Sequence, residues 1–150
     1  MNYPSLLRRF AAIGYDTLIL LAISMLYGFL VIALNFAING APTEGQRVNW
    51  SGWEPLVFVG WLFSQIFYYM YFWARIGQTV GMKTWRIQTL YQGNKTLSYK
   101  IGFIRALLAL VSFSAFGLGY IYALFDPQKQ TLHDKLSGSV TLLTPPLTKK

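Results

Sequence analysis

Three blocks of the chain carry no charged residue: Thr17 to Thr43, Pro55 to Ala74 and Ala106 to Phe125. Each is at least 20 residues long, and a helix of about 20 apolar residues crosses a ~30 Å hydrocarbon core. Lipid offers no hydrogen bonds to a peptide backbone, so segments of this kind satisfy themselves as helices. These blocks account for an apolar fraction of 54% against only 12% charged residues. The sequence predicts an all-α polytopic membrane protein: two full transmembrane helices, a third apolar stretch that forms a re-entrant hairpin or a crossing, and a small cytosolic β-hairpin.

In chain order the expectation is a single domain, 1–150. Helix one covers residues 7–36, an external loop 37–53, helix two 54–75, a cytosolic hairpin 76–100, the third apolar stretch 101–125 and a cytosolic tail 126–150. Asn39, Gly40, Pro42, Gly45 and Gly52 mark the loop as turn-rich. The first apolar run follows Arg8 and Arg9 as a signal sequence would. It is nevertheless too long and is interrupted by Asp16, so it is expected to stay as an anchor.

Charge placement gives an orientation. Twelve of the thirteen Lys and Arg lie outside the first loop, so the positive-inside rule puts the N-terminus in the cytosol. The net charge of +8 then reflects topology and attraction to anionic lipids at the cytosolic face, and no nucleic-acid partner is expected. With no cysteine and one histidine, thiolate chemistry is excluded and a histidine metal site disfavoured. No enzyme activity, cofactor or metal is expected.

The cytosolic segment alternates from Lys83 to Tyr91, with Trp85, Ile87 and Tyr91 on one face, and Gln92-Gly93-Asn94 offers a turn before Lys95 to Ser98. The Gly77 to Gly81 spacing reads as a turn. The aromatic end of helix two, QIFYYMYFWAR, reads as an interfacial belt. Ser112, Ser114, Gly117 and Gly119 crowd the middle of the third stretch, which favours a hairpin with its tail back in the cytosol. Thr131 with Asp134 has capping-box spacing and Gly138 fits a helix stop. Ser139 to Leu143 then reads as a strand able to join the cytosolic hairpin.

Asp16 is the anomaly in this pattern. A carboxylate within a membrane helix costs about 2.5 to 3.5 kcal/mol on insertion scales, so it marks a functional or structural site. Arg9 stands two turns before it, about 10 Å of helix rise away, and Arg105 lies inside the third stretch as its expected deep partner. Asp134 is then left to meet Arg9 at the cytosolic mouth, with His133 beside it as a candidate proton relay.

The order R-x-x-A-x-x-x-D at Arg9, Ala12 and Asp16, G-x-T-x-G-M-K from Gly77 to Lys83, Arg105, and K-Q-T-L-H-D-K-L-x-G from Lys129 to Gly138 resembles the RDD family of small prokaryotic membrane proteins. On that resemblance Arg9 matches the family arginine, Asp16 the first aspartate and Asp134 the second. Ser139 stands where the family often has threonine. The resemblance implies a bacterial inner-membrane protein and, in some relatives, cation and proton exchange. The expected function is therefore transport by an antiporter built on Asp16, Arg9, Arg105 and Asp134, working as a homo-oligomer. The alternative is a membrane scaffold that recruits a partner or anionic lipid through its basic cytosolic segments.

Overall fold

A computed structural model describes residues 2–91, 95–115 and 117–145. Helix α1, Leu6–Asn39, has 34 residues and is about 51 Å long at 1.5 Å per residue. It runs three residues past the expected end because the first conformational stop is Gly40, at φ 81°, whose N–H closes on the Phe36 carbonyl. Asn35 Nδ2 donates to the Asn49 carbonyl at 2.9 Å, which ties the following loop to this end.

Helix α2, Glu54–Arg75, packs along α1. The contact is fixed by Trp61 Nε1 donating to Ser24 Oγ at 2.9 Å and Tyr27 Oη donating to the Val57 carbonyl at 2.8 Å. Both α1 and α2 are long and apolar enough to cross a membrane, and the most apolar stretch of α1 is unburied by protein. Met25 and Phe29 are 77% and 70% exposed. In water that surface would be prohibitive, whereas in a bilayer it is the expected exterior.

The segment after α2 departs from the predicted hairpin. Thr79 Oγ1 accepts the Met82 N–H and starts a short helix, α3, Val80–Thr84, which takes in the end of the expected turn and the first two residues of the alternating stretch, Lys83 and Thr84. Arg86 sits at φ 54° and breaks the period, so strand β1 is only Ile87–Leu90. Its antiparallel partner is β2, Val140–Leu143, in the tail, with Ile87 opposite Leu143 and Leu90 opposite Val140. Of the local hairpin, a single bridge between Tyr91 and Lys95 is present; its turn residues 92–94 lie outside the described residues. The inward face is as expected: Ile87 is core and Trp85 and Tyr91 pack on it.

The third apolar stretch is two helices, α4, Tyr99–Ser114, and α5, Leu118–Phe125, bent by 96° at the crowded small residues. Gly117 at φ 74° provides the left-handed residue that starts α5. The chain then returns toward the end of the molecule it left. Helix α6, Leu132–Leu136, packs on α4 and α5, the Lys129 carbonyl meets Arg9, and Leu143 N–H bonds to the Asn2 carbonyl. The N-terminus, the sheet, α3 and α6 thus share one end with a small core of Ala12, Ile66, Trp73, Met82, Ile87, Leu97 and Ala106.

Candidate functional site

Asp134 is the centre of the first polar cluster. It belongs to the capping box of α6, accepting the Thr131 N–H at 3.3 Å, and it is fully buried. Arg9 Nη1 of α1 donates to Oδ2 at 2.7 Å, while Arg105 of α4 reaches Oδ1 through Nη2 at 2.5 Å and Nε at 3.2 Å. Thr141 Oγ1 of β2 donates to Oδ1 at 3.1 Å. The Arg105 guanidinium also lies 4.1 Å above the Trp73 ring, a cation–π contact that gains strength when desolvated. Burial alone would push the Asp134 carboxyl up, but the guanidiniums of Arg105 and Arg9 outweigh it and hold the group well below the usual carboxylate range.

Asp16 forms a second, separate cluster, 1% exposed. The expected partner Arg105 is engaged by Asp134 instead, and none of the ion pairs among the described residues includes Asp16. Its acceptors are filled by neutral donors: Thr79 Oγ1 at 2.5 Å, Tyr68 Oη at 2.8 Å and the Gly81 N–H at 2.8 Å. The carboxylate therefore staples α1 to α2 and α3. Gly81 is a packing residue of α3 as well as part of the expected turn. A Cβ there would overlap the Ala12 carbonyl oxygen and come within 2.9 Å of the Asp16 carboxylate.

Thr79 and Gly81 were present in the motif quoted above, though their role was not. Tyr68 carried no signal that separates it from Tyr69 or Tyr71. In the structure Tyr68 and Trp73 are each 5% exposed and turn inward, so only part of the aromatic run faces outward as a belt.

His133 is 3% exposed, with Nε2 paired to Thr131 Oγ1 at 2.9 Å and its ring edge-on to Tyr120. Burial, opposed by Asp134, pulls its pKa from 6.5 to about 3. It is neutral at pH 7, away from the near-neutral titration that a relay would use. A histidine depressed by folding contributes stability that is full above pH 6.5 and lost as pH falls toward 3, because the unfolded chain takes up the proton first. The slope approaches about 1.4 kcal/mol per pH unit, so thermal melts in detergent are expected to drop steadily from pH 7 to pH 5. His133→Gln should flatten that slope, and an unchanged slope would refute this account. The depressed Asp134 carboxyl contributes nothing in that window, since its share is lost only below the ordinary carboxylate range.

Between the clusters lies a cavity of about 420 Å³. Arg9, Asp16, Arg105 and His133 border it, with apolar walls that include Leu20, Leu62, Ala109 and Leu110. Asp134 sits behind the two arginines and does not border it. Among the described residues, no group of three or more His, Asp or Glu is placed to hold a metal ion.

Unburied apolar helices and buried charges gathered at one end define an integral membrane protein. The chain belongs to the RDD family, which it matches over residues 3–138. No curated protein and no solved structure matches it.

Proposed function

We propose that this chain is a multi-pass protein of the bacterial inner membrane, N-terminus and sheet in the cytosol, that exchanges a monovalent cation for a proton at Asp16. The observation that supports this reading most is the contrast between the two acids. Asp134 is met by two guanidiniums, whereas Asp16 is met only by neutral donors and borders a cavity. A carboxylate at membrane depth without a fixed counter-ion is suited to a mobile one, H⁺ or an alkali cation. The Thr79 and Tyr68 hydroxyls can turn from donor to acceptor and so face either occupant. The bent pair α4–α5 is read as re-entrant, and the unburied length of α1 as the surface on which a homo-oligomer closes a pathway.

The orientation draws on exposed Arg75, Lys83, Arg86, Lys95, Lys100 and Lys129 at the sheet end, none ion-paired among the described residues. Proteoliposome flux followed with a pH-sensitive dye tests the function under Na⁺, Li⁺ and K⁺ gradients. Wild type is expected to move protons against at least one cation, and Asp16→Asn to lose the activity by about tenfold or more, ~1.4 kcal/mol of coupling. No cation-dependent proton movement by wild type would end the exchange reading. The same exposed basic residues favour a second reading, a scaffold that recruits an acidic partner or anionic lipid. In that case charge reversal at Lys83, Arg86, Lys95 and Lys100 removes function and Asp16→Asn leaves it intact.

A further inference from the structure

The arginine clamp leaves part of its hydrogen-bonding capacity unused. Arg9 Nε, Arg105 Nη1 and His133 Nδ1 are buried without a partner, in side chains that all border the cavity and are at most 6% exposed. Native proteins seldom leave such atoms orphaned. Trp73 absorbs some of the Arg105 charge through its ring face, but nothing comparable serves Arg9 Nε. Formal charge in the clamp is two guanidiniums against one carboxylate, with His133 neutral. Unspent N–H donors on two guanidiniums suit an oxyanion. Asp16, whose negative charge balances the clamp's excess from the cavity's other side, keeps both its oxygens on three donors of its own.

The other end of the cavity is apolar and open sideways. Helices α1 and α4 both pack on α2, but they do not pack closely on each other. The gap is flanked by Thr17 and Leu20 on α1 and by Ala109, Leu110 and Phe113 on α4, of which Phe113 is 66% exposed. Leu20 and Phe113 lie some three to four turns into their helices, where the surroundings of a membrane protein are acyl chains. Arg9, by contrast, lies in the first turn or so of α1, the end of a spanning helix where headgroup phosphates are expected. Basic donors where headgroups are expected and an apolar channel running inward from them match one kind of molecule in both charge and length.

We infer that the cavity is a binding site for one anionic phospholipid of the bilayer, its phosphate at Arg9 and Arg105 and one acyl chain in the gap between α1 and α4. This goes beyond the exchange reading and does not rest on it. The volume lies within the 300–1,000 Å³ usual for ligand pockets.

The test is native mass spectrometry of the full chain in detergent, titrated in separate arms with dioleoyl phosphatidylglycerol, dioleoyl phosphatidylcholine and inorganic phosphate. One phosphatidylglycerol per chain is expected to be retained, about tenfold tighter than phosphatidylcholine. Ala109→Trp fills the channel without touching the clamp and is expected to lose that selectivity while its circular dichroism stays wild-type. Leu20→Trp, from the opposite wall, serves if Ala109→Trp does not fold. Equal retention of the two lipids by wild type overturns the proposal whatever the variants do. Phosphate occupancy that excludes the lipid, or a lipid-free dimer in which a second copy closes the gap, overturns it as well. No flux is measured, so the outcome is separate from the fate of the exchange reading.

Discussion

Asp134→Ala is expected to cost the chain its fold. The substitution leaves two guanidiniums, Arg9 and Arg105, buried at 6% and 3% exposure without their counter-ion. Removing one partner of a buried pair costs about 3 to 5 kcal/mol, and here two cations lose the same acceptor. That sum is comparable to the ~5 to 15 kcal/mol by which a whole domain is stable. Thr141 and the Thr131 N–H lose an acceptor too, so β2 and the start of α6 loosen together. Replacing the triad by apolar residues, Arg9→Met with Arg105→Met and Asp134→Leu, removes the desolvation cost along with the attraction. The triple variant is therefore expected to melt higher in detergent than Asp134→Ala alone. A single variant that melts within a few degrees of wild type would show that the clamp does not hold the molecule together.

Asp16→Leu is expected to destabilise the chain by about 3 kcal/mol or more, because it strands three buried donors at about 1 to 3 kcal/mol each. The Tyr68 and Thr79 hydroxyls can rotate to find other acceptors, but the Gly81 N–H is fixed by α3. Asp16→Asn should be far milder. Its carbonyl oxygen can keep the Gly81 and Tyr68 bonds, while its amide donates to the Thr79 hydroxyl, which turns to accept. Thermal melts and gel filtration in detergent check the order wild type, Asn, Leu. If Asn proves as harmful as Leu, the negative charge itself holds α3, and the hydrogen-bond account fails. The order also decides whether Asp16→Asn is a folded reagent for the flux measurement.

Charges could be read from the sequence because they stand out against apolar surroundings. Arg9, Asp16, Arg105 and Asp134 are legible for that reason, as are the two long helices and the break near Gly117. Pairing was not legible. The sequence offers Arg105 to Asp16, and what gives it to Asp134 instead is the return of the chain through α5 to α6. Neutral donors gave no warning either. Thr79 reads as part of a turn, and nothing in one sequence says that its hydroxyl reaches a carboxylate 63 positions earlier. The alternation from Lys83 to Tyr91 holds from Ile87 on and misleads at Lys83 and Thr84, where a capped turn of helix shares the spacing of a strand. That β2 joins the cytosolic strand was legible, but its register with β1, between residues 50 to 56 positions apart, was not, because local pattern carries none at that distance.

The bond between Arg9 and Asp134 joins residues 125 positions apart, and this dictates an order of events during biosynthesis. At roughly 5 to 20 residues per second, Arg9 is joined to the chain about 6 to 25 s before Asp134 is. For that interval the first helix carries an arginine with no carboxylate to meet, held in the headgroup layer by its long stem. The two ends of the protein close on each other only when translation is nearly over. A chain stopped short of residue 134 would carry both arginines of the clamp without the carboxylate that joins them.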